Sequence, residues 1–272
     1  MKATWVLLAN DQIDRSRWDA CVMRHQKSLF SLSWYWDAVF PHWSGYVLGD
    51  YESVIPWPKK LKWGFLPVLK TPLYVKWLEG DLVKLDLEVQ RFFGVKKIHL
   101  GNSTLPGKKR VVQLLELDVH WTRSKELEKN YRRCVNHGGQ YVEHVAWNAF
   151  EQMMLRYHPF DWKGQPQAIM RRLFENSSAL GFGKIVGVKV GEEWAALQFV
   201  IEKDGEMCLI QNVVPSDLRH TAGMTLLLIE LFERALSNQK SIRVNFMGSE
   251  NENVAKFNRK FGAVDRDYSE IQ

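Results

Sequence analysis

The sequence lacks an apolar run long enough to cross a membrane. Its longest apolar stretch runs only from Met224 to Phe232 and is interrupted by Glu230, whereas a spanning helix needs about 20 residues. A secretory leader is not expected. Lys2 is followed by the short apolar run Trp5 to Ala9, then by Asp11 and Asp14, with no small-residue cleavage pattern. The expectation is a mature cytoplasmic protein whose first strand is that run. Cysteine is scarce. Cys21, Cys134 and Cys208 are odd in number and widely spaced, with no C-x-x-C, which excludes a disulfide framework and predicts reduced, buried thiols. Eight histidines include no H-E-x-x-H pair, so no metal site is expected. No G-x-S-x-G, strand-linked G-x-G-x-x-G or kinase signature occurs, so hydrolase, dinucleotide and kinase readings fall away.

What is present is a globular composition: 272 residues, 46% hydrophobic and 25% charged, which excludes disorder as a description of the whole chain. The net charge of +6 suits an anionic ligand without selecting one. Its clusters, Lys59–Lys60–Lys62, Lys96–Lys97, Lys108–Lys109–Arg110 and Arg132–Arg133, are dispersed, and each alone reads as a solvated face. Of the 12 tryptophans, most fall between Trp5 and Trp77. Indoles serve cores and cleft walls alike.

The strongest signal is internal. Gly49-Asp50-Tyr51-Glu52 and Gly191-Glu192-Glu193-Trp194 both lie between strand-like runs and read as hairpin turns, 142 residues apart. Strands ending at Pro72 and Pro215 follow, 143 residues apart. Helical stretches come next, Leu82–Phe93 and Thr221–Leu236, and then strands starting at Ile98 and Ile242, 144 residues apart. Helices precede each hairpin: Asp14–His25 and Trp34–Phe40, then Trp147–Tyr157 and Pro166–Leu180. Between the two series lie a strand, Val111–Leu117, and a polar helix, Ser124–Val135. Ser124 is placed to cap that helix and Gly138-Gly139 to close it. The order repeats twice, which predicts a duplicated unit, residues 1–120 and 121–272, divided near Trp121.

Four segments carry a resemblance. They are Ser33-Trp34-Tyr35-Trp36-Asp37-Ala38-Val39, the hairpin Gly49–Pro56, Asn130-Tyr131-Arg132-Arg133, and the block Phe246-Met247-Gly248-Ser249, Val254-Ala255-Lys256-Phe257, Phe261-Gly262-Ala263. Together they resemble the FemAB-like branch of the GNAT acyltransferase superfamily. That resemblance implies an α/β fold of two tandem GNAT-like domains, each a mixed, mostly antiparallel sheet flanked by helices. It implies transfer of an acyl or aminoacyl group from acyl-CoA, such as acetyl-CoA, or from aminoacyl-tRNA. The acceptor would be an amine, on a small molecule or a cell-wall precursor, and no cofactor would be tightly bound. DNA and a membrane span are not expected.

The resemblance also implies a site. The donor would be held by Gln211, Asn212, Val213, Arg219, His220, Thr221 and Gly223, a segment similar to the family's phosphate loop. His220, Ala222 and Met224 stand where that loop has glycine, so side chains crowd the approach of a pyrophosphate to the backbone. The acceptor cleft would take Trp34, Tyr35, Glu79, Arg132, Arg133, Asn245 and Ser249, although Trp34 and Tyr35 by themselves read rather as core. Asn258 stands where the family places a tyrosine acid, and Asn245 where an aspartate is usual. Glu250 follows Gly248-Ser249 as a candidate catalytic carboxylate, or as the N-terminal charge of the next helix. Asp37, Asp50 and Glu79 are further carboxylates. With two ionisable positions replaced by amides, a non-catalytic binding module of the same fold is the alternative; RNA binding without chemistry rests on charge alone.

Overall fold

The computed structural model describes residues 4–25, 29–57, 59–62, 66–69, 98–100, 108–158, 164–248 and 251–271. The chain forms two compact units, Met1–Arg110 with Asp267–Gln272, and Val111–Arg266. The helix expected over Leu82–Phe93 lies outside the described residues, as does Pro72.

In the first unit, strands β1 (Trp5–Leu8), β2 (Ser44–Leu48) and β3 (Ser53–Trp57) form an antiparallel sheet in that order. The expected turn joins β2 to β3, with Gly49 and Tyr51 both at positive φ. Helices α1 (Arg15–His25) and α2 (Ser33–Val39) accompany this sheet. Strands β4 (Lys59–Lys62) and β5 (Leu66–Leu69) make a separate hairpin, and β6 (Ile98–Leu100) pairs with residues 269–271.

Indoles build the core of this unit. Trp18, Trp36 and Trp43 are fully buried, with Trp18 edge-on to Trp43 at 4.7 Å. Two of these three buried indole donors find a partner, and Trp36 Nε1 finds none among the described residues. Trp18 Nε1 donates to the Ser31 carbonyl at 3.0 Å, and Trp43 Nε1 to Asp37 at 2.8 Å. Asp37 also accepts from Arg15 at 3.0 Å, so this carboxylate is part of the scaffold. A Cβ on Gly45 would lie 2.4 Å from Trp18, which is why β2 carries no side chain there.

The second unit contains β7 (Lys108–Asp118) from Val111 onward, α3 (Lys125–Asn136), β8 (Gly139–Val142), α4 (Trp147–Tyr157), α5 (Gln165–Ala179), β9 (Gly183–Val190), β10 (Glu193–Lys203), β11 (Glu206–Val213), α6 (Gly223–Asn238), β12 (Ser241–Gly248), α7 (Glu252–Arg259) and the start of β13 (Val264–Ile271), as far as Arg266. Its sheet runs β13-β7-β12-β11-β10-β9-β8. The pairs β8–β9, β9–β10, β10–β11 and β7–β12 are antiparallel, and β11–β12 is parallel. The antiparallel run β9–β11 is the three-stranded meander expected from the sequence, and α6 supplies the crossover a parallel pair requires.

Helix α6 is buried on nearly every face because it packs on β8, β9, β10 and β12 and also against α3. Leu226, Leu227, Ile229 and Phe232 meet Val186, Val188, Val200 and Val244 in one core, each worth roughly 1.5–3 kcal/mol of transfer free energy. Helix α3 begins as expected, with Ser124 Oγ accepting from the Leu127 N–H at 3.2 Å. Gly138 ends it at φ +75°, and a Cβ on Gly139 would sit 2.5 Å from Cys134 Sγ. All three cysteines are free and buried. Among the described residues no helix is long and apolar enough to cross a membrane.

Candidate functional site

The geometry of the second unit's sheet opens a cavity. Strands β11 and β12 pair only through Glu206–Cys208 and Arg243–Asn245. Beyond that point each strand is held by its other neighbour. β11 continues along β10 to Val213, taking an extra residue, Ile210, between the pairs Val200↔Leu209 and Phe199↔Gln211. β12 bulges after Asn245 and resumes pairing with β7 at Gly248↔Val112. Such bulges bend a strand and change its direction. The two strands diverge at their carboxyl ends, the place where ligands bind in sheets of this kind.

A cavity of about 650 Å³ lies there. Leu209, Asn212 and Val214 from β11 and its exit line it, with Gln198 from β10 and Phe246 from β12. Arg219, Ala222, Gly223, Met224 and Thr225 line it from the loop and the start of α6, and Asn130 and Arg133 from α3. Asn251, Phe257 and Asn258 come from around α7, and His158 from the end of α4. Arg133 and Arg219 bring positive charge, and no carboxylate lines the cavity among the described residues.

The start of α6 is shaped for close approach. Arg219–Thr221 form a 3-10 turn, and Ala222 adopts the left-handed conformation at φ 61°, ψ 31°. The N–H groups of Thr225 and Leu226 bond back to the Ala222 carbonyl. Those of Gly223 and Met224 precede the intrahelical ladder, so the cavity meets the positive end of the helix. Gly223 is dictated by packing: a Cβ there would lie 2.8 Å from that of Ala195, the extra residue of a bulge in β10.

Of the donor residues implied by the resemblance, Asn212, Arg219 and Gly223 line the cavity. Gln211, Val213, His220 and Thr221 do not. Gln211 Nε2 donates to the Asn212 carbonyl at 3.2 Å, and Val213 is fully buried. Thr221 is buried, and its hydroxyl donates to the Leu218 carbonyl at 2.7 Å. His220 is exposed, with its ring edge-on to that of His137 at 5.6 Å.

Arg133 lines the cavity, whereas Arg132 pairs with Glu128 along α3 at 2.6 Å. Asn258 reaches the cavity but is 5% exposed, and its amide donates to Gln113 Oε1 at 2.8 Å. Asn245 is buried, and its Oδ1 accepts from the Met247 N–H at 2.8 Å, stabilising the bulge in which Met247 takes φ 63°. Trp34 and Tyr35 are core residues of the first unit. Glu79, Ser249 and Glu250 lie outside the described residues.

Two further lining residues carried no signal of their own. Gln198 is 1% exposed, and its Nε2 donates to the Gln211 carbonyl at 3.1 Å, holding the bulged segment of β11 to β10. His158 is a lone histidine just past α4, with no motif around it.

Solved structures resemble the chain over nearly its whole length. FemX superposes with a TM-score of 0.67 at 9% identity, covering 94% of this chain and 95% of that one. The fold is that of FemX and of the tandem GNAT proteins. A tandem GNAT protein from the clavulanic acid biosynthesis pathway gives a TM-score of 0.57 at 11% identity, covering 99% and 97%. L-PGS from Bacillus licheniformis gives 0.56 at 14% identity, covering 94% and 91%. No protein-family model and no curated protein sequence matches the chain. At these identities the likeness is one of fold, and function rests on the site.

Proposed function

We propose that this protein is an N-acyltransferase that moves an acyl or aminoacyl group from an activated donor to an amine. The observation that carries this reading is the cavity where β11 and β12 part, lined by Arg133, Arg219 and the N-terminus of α6 and by no described carboxylate. A donor with a phosphate-bearing handle, acyl-CoA or aminoacyl-tRNA, matches that electrostatic pattern. Past Cys208 the edge of β11 has left β12. Its main chain there can donate to a carbonyl oxygen as negative charge develops on it. The acceptor amine, on a small molecule or a cell-wall precursor, attacks from the open side of the cavity. Much of the acceleration comes from holding the two reactants in register. The shared fold of FemX and of the clavulanic acid pathway protein supports the reading.

The test is a melting-temperature shift with CoA, acetyl-CoA, a longer acyl-CoA and charged tRNA, followed by turnover with an amine panel. A ligand at about 100 times its dissociation constant adds roughly 2.7 kcal/mol, a shift of several degrees. Arg219→Ala should weaken donor binding about tenfold or more, since hydrogen bonds to charged groups contribute roughly 1.5–3 kcal/mol. No shift and no turnover with any donor would sink the proposal.

A second reading is a binding module of the same fold. It is favoured by Asn258, which stands where the resemblance implies a tyrosine acid and whose amide is committed to Gln113. Ligand-induced stabilisation without turnover of any donor is its signature.

A further inference from the structure

We propose that His158 is the general base of the reaction; this rests on the acyl-transfer reading above. Amide formation needs a group that removes a proton from the attacking nitrogen. The polar side chains that line the cavity among the described residues are amides, one hydroxyl (Thr225), the guanidiniums of Arg133 and Arg219, and one imidazole. Amides and a neutral hydroxyl do not take up a proton near neutral pH, and a guanidinium already carries all of its protons. Imidazole is the side chain whose protonation changes between pH 5 and 8. His158 is therefore the one described lining group able to accept the proton.

Its placement is fixed from both sides. The His158 N–H closes α4 by bonding to the Met154 carbonyl at 2.8 Å. At the start of α4, Trp147 stacks on Phe174 at 5.2 Å. At its end, Tyr157 donates to Asp217 at 3.4 Å, which ties α4 to the loop leading into Arg219. Among the described residues the half-buried His158 ring makes no hydrogen bond, which leaves its nitrogens available to a substrate. Arg133 from α3 and Arg219 from the loop line the same cavity, Asp217 is bonded by the neighbouring Tyr157, and Arg156 on the same helix places its guanidinium 5.2 Å from the centre of the Tyr157 ring.

In the step, the amine nitrogen bonds to the carbonyl carbon of the donor thioester or ester. The bond from that carbon to sulfur or oxygen breaks. The proton lost by nitrogen passes to the His158 imidazole, which returns it to the departing thiolate or alkoxide. The products are an amide and a free thiol or hydroxyl, and the imidazole is regenerated.

The experiment compares the wild type with His158→Gln, His158→Asn and His158→Ala, using the donor that turns over. kcat is expected to fall about 100-fold or more while KM for the donor stays within a factor of about two. The acid limb of the kcat profile should disappear in His158→Gln, and free imidazole should restore rate to His158→Ala. A merely structural role would not produce imidazole rescue. Because the ring has no described partner, the variants should melt close to the wild type, and melting curves check this. Wild-type rate and an unchanged acid limb in His158→Gln would overturn the base assignment alone. A wild type inactive with every donor would overturn the transfer reading and this role together.

Discussion

Asn258 on α7 donates its side-chain amide to Gln113 on β7 across 2.8 Å, at a position 145 residues away in sequence. Gln113 is fully buried and passes the network on, donating to Asp265 at 2.9 Å and to the Ala255 carbonyl at 3.2 Å. The asparagine thus fastens α7 to the sheet. Asn258→Ala leaves the Gln113 oxygen buried without its donor and should cost roughly 1–3 kcal/mol. A double-mutant cycle with Gln113→Ala should give a coupling of about 0.5–3 kcal/mol. Additive losses in urea denaturation would contradict the network. Asn258→Tyr should lower the melting temperature and add no activity, because a phenol overfills a site that is 5% exposed.

Ala222 and Gly223 should respond to exchange with opposite signs. Ala222 holds a left-handed conformation that glycine adopts without the steric cost of a Cβ, about 1–2 kcal/mol. Ala222→Gly is expected to raise the melting temperature by a few degrees. Gly223→Ala drives a Cβ to 2.8 Å from Ala195 and should cost roughly 1–3 kcal/mol. Adding Ala195→Gly should recover only part of this, because the Ala195 carbonyl carbon and oxygen would also be crowded, at 3.1 and 3.2 Å. Calorimetry on the three variants checks both signs.

Acid should loosen the network that joins Asp265 to Gln113 and Arg259. Asp265 is held below the usual carboxylate value of 3.8, first by its hydrogen bond from Arg259 and then by that from Gln113. A carboxylate whose pKa is depressed on folding contributes stability that is present above 3.8 and is lost as pH falls through its lower folded value. The Asp265 side chain is 38% exposed, so solvent screening keeps the effect modest. Asp265→Asn should lose stability at neutral pH and show a shallower decline below pH 4 than the wild type. Equal acid slopes would rule out this contribution.

The thiols should be inert in the native state. Burial pushes the Cys134 thiol up to about 11. It also raises Cys208 well above the usual range, and Cys21 above its ordinary value against the opposing charge of Arg24. Thiolate is the reactive form. A colorimetric disulfide reagent at pH 8 should find little reactive thiol in the folded protein and all three cysteines once guanidinium unfolds it. Rapid native reaction of any one would show that its site opens.

The elements of the second unit were legible in the sequence. α4 at Trp147–Tyr157 coincides with the expected range. Helix α3, with its Ser124 cap, departs by one residue at each end. Periodicity, capping and turn glycines act over a few neighbouring residues, so a linear reading captures them. The hairpin at Gly49–Glu52 follows for the same reason.

The site was legible only in part. Arg219 and Asn212 lie on one short segment whose loop pattern marks them, and both line the cavity. Thr221 and His220 lie on the same segment and turn elsewhere, because a 3-10 turn directs successive side chains to different sides. Asn245 and Asn258 read as lost ionisable groups. The structure shows one bracing a strand bulge and the other bridging to Gln113.

Local chemistry in the sequence thus determined the strands, helices, caps and turns, and the basic, cysteine-poor character of the chain. Tertiary structure decided what those elements enclose. The cavity exists because β11 follows β10 while β12 follows β7, and it gathers residues from Asn130 to Asn258. No spacing rule links His158 to Arg219 or Arg133. They share a cavity because two strands that start side by side are each bound more extensively to a different neighbour.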